Sequence, residues 1–146
     1  KAALKDSRDY KVYIRSHPLL SKKTLVDFLK QIEMVNYEFA DDGIIQEWLP
    51  KTYAVISTGG SITILEAVAM GTPVIRVIPD NTFFYDPFIW PDYPLKPVKS
   101  AGEIEQQLCS IGKISDSDRE AFQKIAEQVL KAYFTKPNEE NMKVFL

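Results

Sequence analysis

Cysteine and histidine occur once each in the 146 residues, as Cys109 and His17. A lone cysteine excludes an internal disulfide and any metal cage built on cysteine, and it fits a reducing compartment. An excess of either charge is also lacking, since 18 basic and 20 acidic residues leave a net charge of −2 with no basic cluster along the chain. A nucleic-acid partner is therefore not expected. No apolar run approaches the roughly 18 residues that span a bilayer, and no signal-peptide pattern opens the chain. The expectation is a cytoplasmic protein without a transmembrane segment, with peripheral contact at the inner face of the membrane left open for a longer form. The chain starts at Lys1 in what reads as the tail of a helix (Ala2, Ala3, Leu4), so a piece of a longer protein is expected. Repeats and low-complexity tracts are absent. The length suits one domain with one core, placed at 1–134 with a polar tail at 135–146.

What is present is an alternation of short β-rich runs and longer helical stripes. Lys11 to Arg15 reads as a strand, and Ser21 as the N-cap of a helix from Lys22 to Met34 with Leu25, Phe28, Leu29 and Ile32 on one face. A second strand is expected at Tyr37 to Ala40, closed by the turn chemistry of Asp41-Asp42-Gly43. A short helix follows in Ile44 to Lys51, interrupted by Pro50. Tyr53 to Ser57 is almost continuously apolar, as expected of a strand buried on both faces. Ile62 to Met70 is the next helix, ended by Gly71 in the left-handed region and stopped by Pro73. Val74 to Ile78 returns as a fourth strand, and Pro97-Val98 offers a short edge strand. Ser100 with Glu103, and Ser117 with Glu120, read as capping boxes for two further helices, the second marked by Phe122, Ile125, Ala126, Val129, Leu130 and Tyr133. This order predicts an α/β fold, a Rossmann-like three-layer sandwich whose parallel sheet of about five strands is flanked by helices. The segment from Pro79 to Val98 carries five prolines and a cluster of aromatics. Such a long loop is expected to serve a function, to flap over the sheet edge or to contact a subunit.

The stretch from Ser57 to Ile75, STGGSITILEAVAMGTPVI, leaves the carboxyl end of a strand, where parallel sheets bind ligands. Gly59 and Gly60 let backbone approach a ligand, and the first amides of the following helix suit a phosphate. An ordinary strand-to-helix turn has the same composition. Ser61 can cap that helix or offer its hydroxyl to the phosphate. The helix is apolar nearly all round, yet Thr63 and Glu66 share one face. A carboxylate on a buried helix needs compensation, either a salt bridge to Arg76 or Arg15 or the vicinal hydroxyls of a bound ribose.

The pattern Gly60-Ser61-Ile62-Thr63-x-x-Glu66-x-x-x-x-Gly71-x-Pro73 resembles the donor-binding motif of nucleotide-sugar glycosyltransferases of the GT-B fold, including the N-acetylglucosaminyltransferases that complete lipid II. The resemblance covers about Lys11 to Leu108 and is strong over Ser57 to Pro79. It implies the C-terminal, donor-binding domain of a glycosyltransferase of surface polysaccharide or glycoconjugate synthesis. Glu66 would then hold the ribose, Thr58, Gly59, Gly60 and Ser61 would approach the diphosphate, and Thr63 would support that loop. The ligand implied is a nucleotide sugar, UDP-linked or CDP/CMP-linked, with no further cofactor and no metal. The catalytic base would come from an N-terminal acceptor domain, so the isolated chain is expected to bind and not to transfer.

His17-Pro18, after the first strand, resembles the His-Pro pair of bacterial sialyltransferases and CDP-glycerol glycerophosphotransferases. That implies His17 on the donor phosphate, with a catalytic part in stabilising the leaving group; a histidine satisfied in a turn is the alternative. Asp80, Asn81 and Asp86 stand where donor-sugar hydroxyls would be met. Trp48-Leu49-Pro50 resembles the Trp-x-Pro segment of plant and animal glycosyltransferases, at a shorter distance from the glycines. Two competing readings stay open. A UDP-N-acetylglucosamine 2-epimerase shares the fold and a Ser-Gly-Gly turn but places two acidic residues closer to the glycines, and a flavodoxin-like interaction module would make the glycines incidental.

Overall fold

Four short apolar runs of the chain become strands paired in parallel. The structure, a computed structural model, describes residues 10–16, 21–40, 43–58, 61–78, 80, 86 and 88–134. In chain order the elements are β1 (Val12–Ile14), α1 (Lys22–Gln31), β2 (Tyr37–Phe39), α2 (Ile45–Trp48) and a 3-10 turn at Leu49–Lys51. These are followed by β3 (Val55–Thr58), α3 (Ile62–Ala69), β4 (Val74–Val77), α4 (Ala101–Ile111) and α5 (Asp116–Tyr133). β1 pairs in parallel with β2, Tyr13 opposite Glu38, and β3 with β4, Ser57 opposite Arg76. Among the described residues the architecture is therefore α/β, with two separate two-stranded parallel sheets. The edge strand expected at Pro97-Val98 is reduced to a single parallel bridge. Val98 N donates to Arg76 O and Ile78 N to Val98 O, each at 2.8 Å.

Most of the core is built on β3 and β4. Ile64, Leu65 and Val68 of α3, Val74 and Ile75 of β4, and Ile125 and Val129 of α5 are buried together. Burying each such side chain contributes about 1.5–3 kcal/mol. By contrast, α1 buries only Leu29, and Phe28 stands exposed on the same helix. α1 ends at Gln31 rather than Met34, because Glu33 turns into the left-handed region with φ 53°. Ser21 occupies the N-cap position without a side-chain capping bond.

β3 corrects the expectation of a strand buried on both faces. Val55 and Ser57 are half-buried, while Ile56 keeps 40 % of its surface and Thr58 is exposed. The alternation shows that the core covers the face of Val55 and Ser57, while the opposite face, with Ile56 and Thr58, borders the open space beside β1. The short helix α2 stops at Trp48, as the interruption at Pro50 predicts, and the chain continues as a 3-10 turn, where Pro50 near its start has no N–H to satisfy.

α3 closes as expected, through a motif complete in its backbone bonds. Thr72 N donates to Ala67 O and Gly71 N to Val68 O, both at 2.9 Å, with Gly71 at φ +76°. Thr72 Oγ1 then donates to Leu49 O at 2.8 Å inside the core, tying the helix end to the 3-10 turn.

Two capping boxes differ from expectation. Ser100 accepts from Glu103 N, but Glu103 Oε2 reaches Lys99 N rather than Ser100 N. α5 is capped by Ser115 with Asp118, two residues before the Ser117 and Glu120 pair. The earlier start adds Asp116 and Asp118 to the first turn, where negative charge meets the positive end of the helix dipole.

The described part of the aromatic segment is packed structure. Tyr93 is almost fully buried, with its ring 4.9 Å from Phe88 and 5.1 Å from Phe122. Its Oη accepts a 2.8 Å hydrogen bond from Val74 N, and burial pushes the phenol well above its ordinary range. Trp90 rests against Tyr133 of α5.

Candidate functional site

β1, β2 and β3 all deliver their carboxyl ends to one cavity of about 440 Å³. Arg15 and Ser16 follow β1, Ala40 follows β2, Thr58 ends β3, and Ser61 and Thr63 open α3. Parallel pairing puts the exits of β1 and β2 on one edge, and the packing of the β3-β4 sheet beside them brings the exit of β3 to the same cavity. Tyr13 and Trp48, with ring centroids 5.0 Å apart, supply an apolar wall.

The polar side chains of the cavity are held differently. Ser61 Oγ accepts from Thr63 N at 3.2 Å, so it caps α3 as expected and anchors the helix start. Arg15 Nη1 donates to Ala40 O at 3.3 Å, which steadies the guanidinium, and among the described residues its other donors meet no partner. Thr58 is exposed at the strand end. Together with the other serines and threonines of the lining they give a cation, six hydroxyls and a helix N-terminus around one space, a chemistry suited to phosphate oxygens.

Glu66 stands one turn beyond Thr63 on α3 and is half-buried. Neither arginine proposed for it is its partner. Gln46 Nε2 of α2 donates to Glu66 Oε1 at 2.8 Å, Arg76 pairs with Asp86, and Arg15 is turned to Ala40. A neutral amide satisfies one oxygen and leaves the charge uncompensated by any cation among the described residues. Glu66 does not itself line the cavity; Thr63, three residues before it, does.

The structure takes Asp80 and Asp86 away from the cavity. Asp80 pairs with Lys99 at the surface, and that carboxylate raises the Lys99 ammonium above its usual range. Asp86 is a core anchor: Oδ2 takes Arg76 Nη1, Oδ1 takes Phe88 N at 3.0 Å, and the guanidinium lies over the Phe88 ring. His17, Gly59, Gly60, Asn81, Asp41 and Asp42 lie outside the described residues, as does the tail at 135–146.

Arg15 and Gln46 are the contributors that sequence reading missed. Arg15 was legible as the residue leaving the first strand on the ligand edge; no local signal marks Gln46, which meets Glu66 only because α2 packs against α3. Among the described residues no His, Cys, Asp and Glu cluster is gathered as for a metal ion. None of the helices there is long and apolar enough to cross a membrane. No protein-family model, curated protein or solved structure matches this chain.

Proposed function

We propose that this chain is the nucleotide-sugar donor-binding domain of a GT-B-type glycosyltransferase acting in surface polysaccharide or glycoconjugate synthesis. The observation that carries the reading is the state of Glu66. Its carboxylate is kept on the most apolar helix of the chain with a neutral glutamine as partner, one turn from a cavity ringed by Arg15, Thr58, Ser61 and Thr63. A structural ion pair would have used an arginine, and both nearby candidates are engaged elsewhere. In this reading a ribose diol donates to the second Glu66 oxygen, which the exposed Gln46 contact leaves open, while the diphosphate takes Arg15 and the amides and hydroxyls at the start of α3.

In this reading β2, β1, β3, β4 and the Val98 bridge form one row of a Rossmann-like sheet, and the cavity between β1 and β3 is its topological switch point. His17 and the glycines Gly59 and Gly60 complete the phosphate subsite. The acceptor and catalytic base belong to an N-terminal domain facing this one, with the protein in the cytoplasm, so binding without transfer is expected of the chain alone.

Calorimetric titration with UDP, CDP, CMP and GDP tests it. Binding to at least one is expected, and Glu66→Ala is expected to weaken it by about 1.5–3 kcal/mol, the range for hydrogen bonds to charged groups. Arg15→Gln should weaken the diphosphate selectively and leave the parent nucleoside unchanged. No heat with any of the four, or binding indifferent to Glu66, rejects the donor-site reading.

A further inference from the structure

α5 carries a face that the fold leaves open. A groove of about 600 Å³ runs between it and a ridge at the end of α3, with Phe122, Ala126 and Leu130 along the α5 wall. Arg119 and Glu127 stand on the same wall, four residues either side of Gln123, so each lies about 6 Å along the axis from it. Neither forms an ion pair with a described residue, although Lys124 and Lys131 are at helical spacing from Glu127. Met70 beside the groove and Leu130, Tyr133 and Phe134 along the helix end are all exposed, an apolar surface of the kind that marks association.

These charges are self-complementary in one arrangement. A two-fold axis at Gln123 that runs a second α5 antiparallel sets Arg119 opposite Glu127 of the second copy, and Glu127 opposite Arg119 of that copy. A parallel arrangement would oppose like charges and is disfavoured. We propose that the α5 groove is a homodimer interface, occupied by α5 of a second copy in this antiparallel register. The groove lies at the carboxyl end of α3 and the candidate cavity at its amino end, so dimerisation leaves the cavity open and does not depend on what binds there.

Sedimentation equilibrium of the 146-residue chain from micromolar to millimolar concentration tests the proposal. A monomer–dimer equilibrium is expected. Arg119→Glu and Glu127→Arg should each weaken it by roughly tenfold or more, and the double exchange should restore it, because the pair is then reversed rather than removed. Both positions are exposed or on the groove rim, so the circular dichroism of all three variants should match the parent. A monomer at every concentration overturns the proposal and leaves the groove to a partner of different sequence. A dimer that ignores the single changes, or that the double exchange fails to restore, overturns the register.

Discussion

Gln46 and Glu66 meet across the α2–α3 contact, with the amide Nε2 2.8 Å from the carboxylate Oε1. The bond orients Glu66 without neutralising it. Gln46→Ala is expected to lower stability by no more than about 1 kcal/mol, as for an ordinary hydrogen bond that is exposed to water. On the proposed donor-site reading it should also weaken nucleoside diphosphate binding less than Glu66→Ala does, because in that reading the amide positions the acid and makes no ligand contact of its own. Parallel urea unfolding and calorimetric titrations of the two variants check both orders; equal losses in binding would count against this division of roles.

Arg76 and Asp86 form an inward-facing ion pair, with only 8 % and 20 % of their side-chain surface exposed. Arg76 Nε is already buried without a partner among the described residues. Asp86→Ala therefore leaves an uncompensated guanidinium in the core and is expected to cost about 3–5 kcal/mol. Arg76→Met should cost less, since the remaining carboxylate reaches water and the thioether keeps a contact with Phe88. Urea midpoints of the two variants give the order directly.

Tyr93 ties the aromatic segment to β4 through the hydrogen bond from Val74 N. Burial raises its pKa above the ordinary 10.0. Above that pH the unfolded phenol ionises first while the buried one keeps its proton, so the unfolded state holds fewer protons and stability falls as pH rises. Tyr93→Phe is expected to lose about 1–3 kcal/mol at neutral pH, from the orphaned Val74 amide, and to show a shallower alkaline loss than the parent. Unfolding titrations between about pH 8 and pH 11 separate the two effects.

Ser115 caps α5, and Ser117, which carries the same local signature with Glu120, lies inside the first turn. Ser115→Ala is expected to cost about 1 kcal/mol, and Ser117→Ala only a few tenths. Thermal unfolding distinguishes them; the reverse order would place the start of α5 at the later serine.

Local chemistry carried a long way along this chain. The end of α3 was readable from Gly71 and Pro73, because a left-handed position followed by a residue unable to continue the helix leaves few backbone solutions. The cap of α5 was not, since Ser115-x-x-Asp118 and Ser117-x-x-Glu120 compete on equal local terms. Strand β3 misled for another reason: its apolar run fits a strand covered on both faces, but only the face of Val55 and Ser57 is packed, and Ile56 borders the open cavity.

The order of side chains determined the α/β alternation and the cap of α3 at Ser61; that Arg15 after β1 and Thr58 after β3 reach one cavity was decided by how the two sheets pack. Periodicity and cap residues act over one or two turns, and they are written in the chain itself. Tertiary packing alone decided that Arg76 goes to Asp86, that Glu66 is left with Gln46, and that a space opens between β1 and β3. Each of those outcomes is a choice among partners ten or more residues away, settled by which segments pack together rather than by any neighbouring residue.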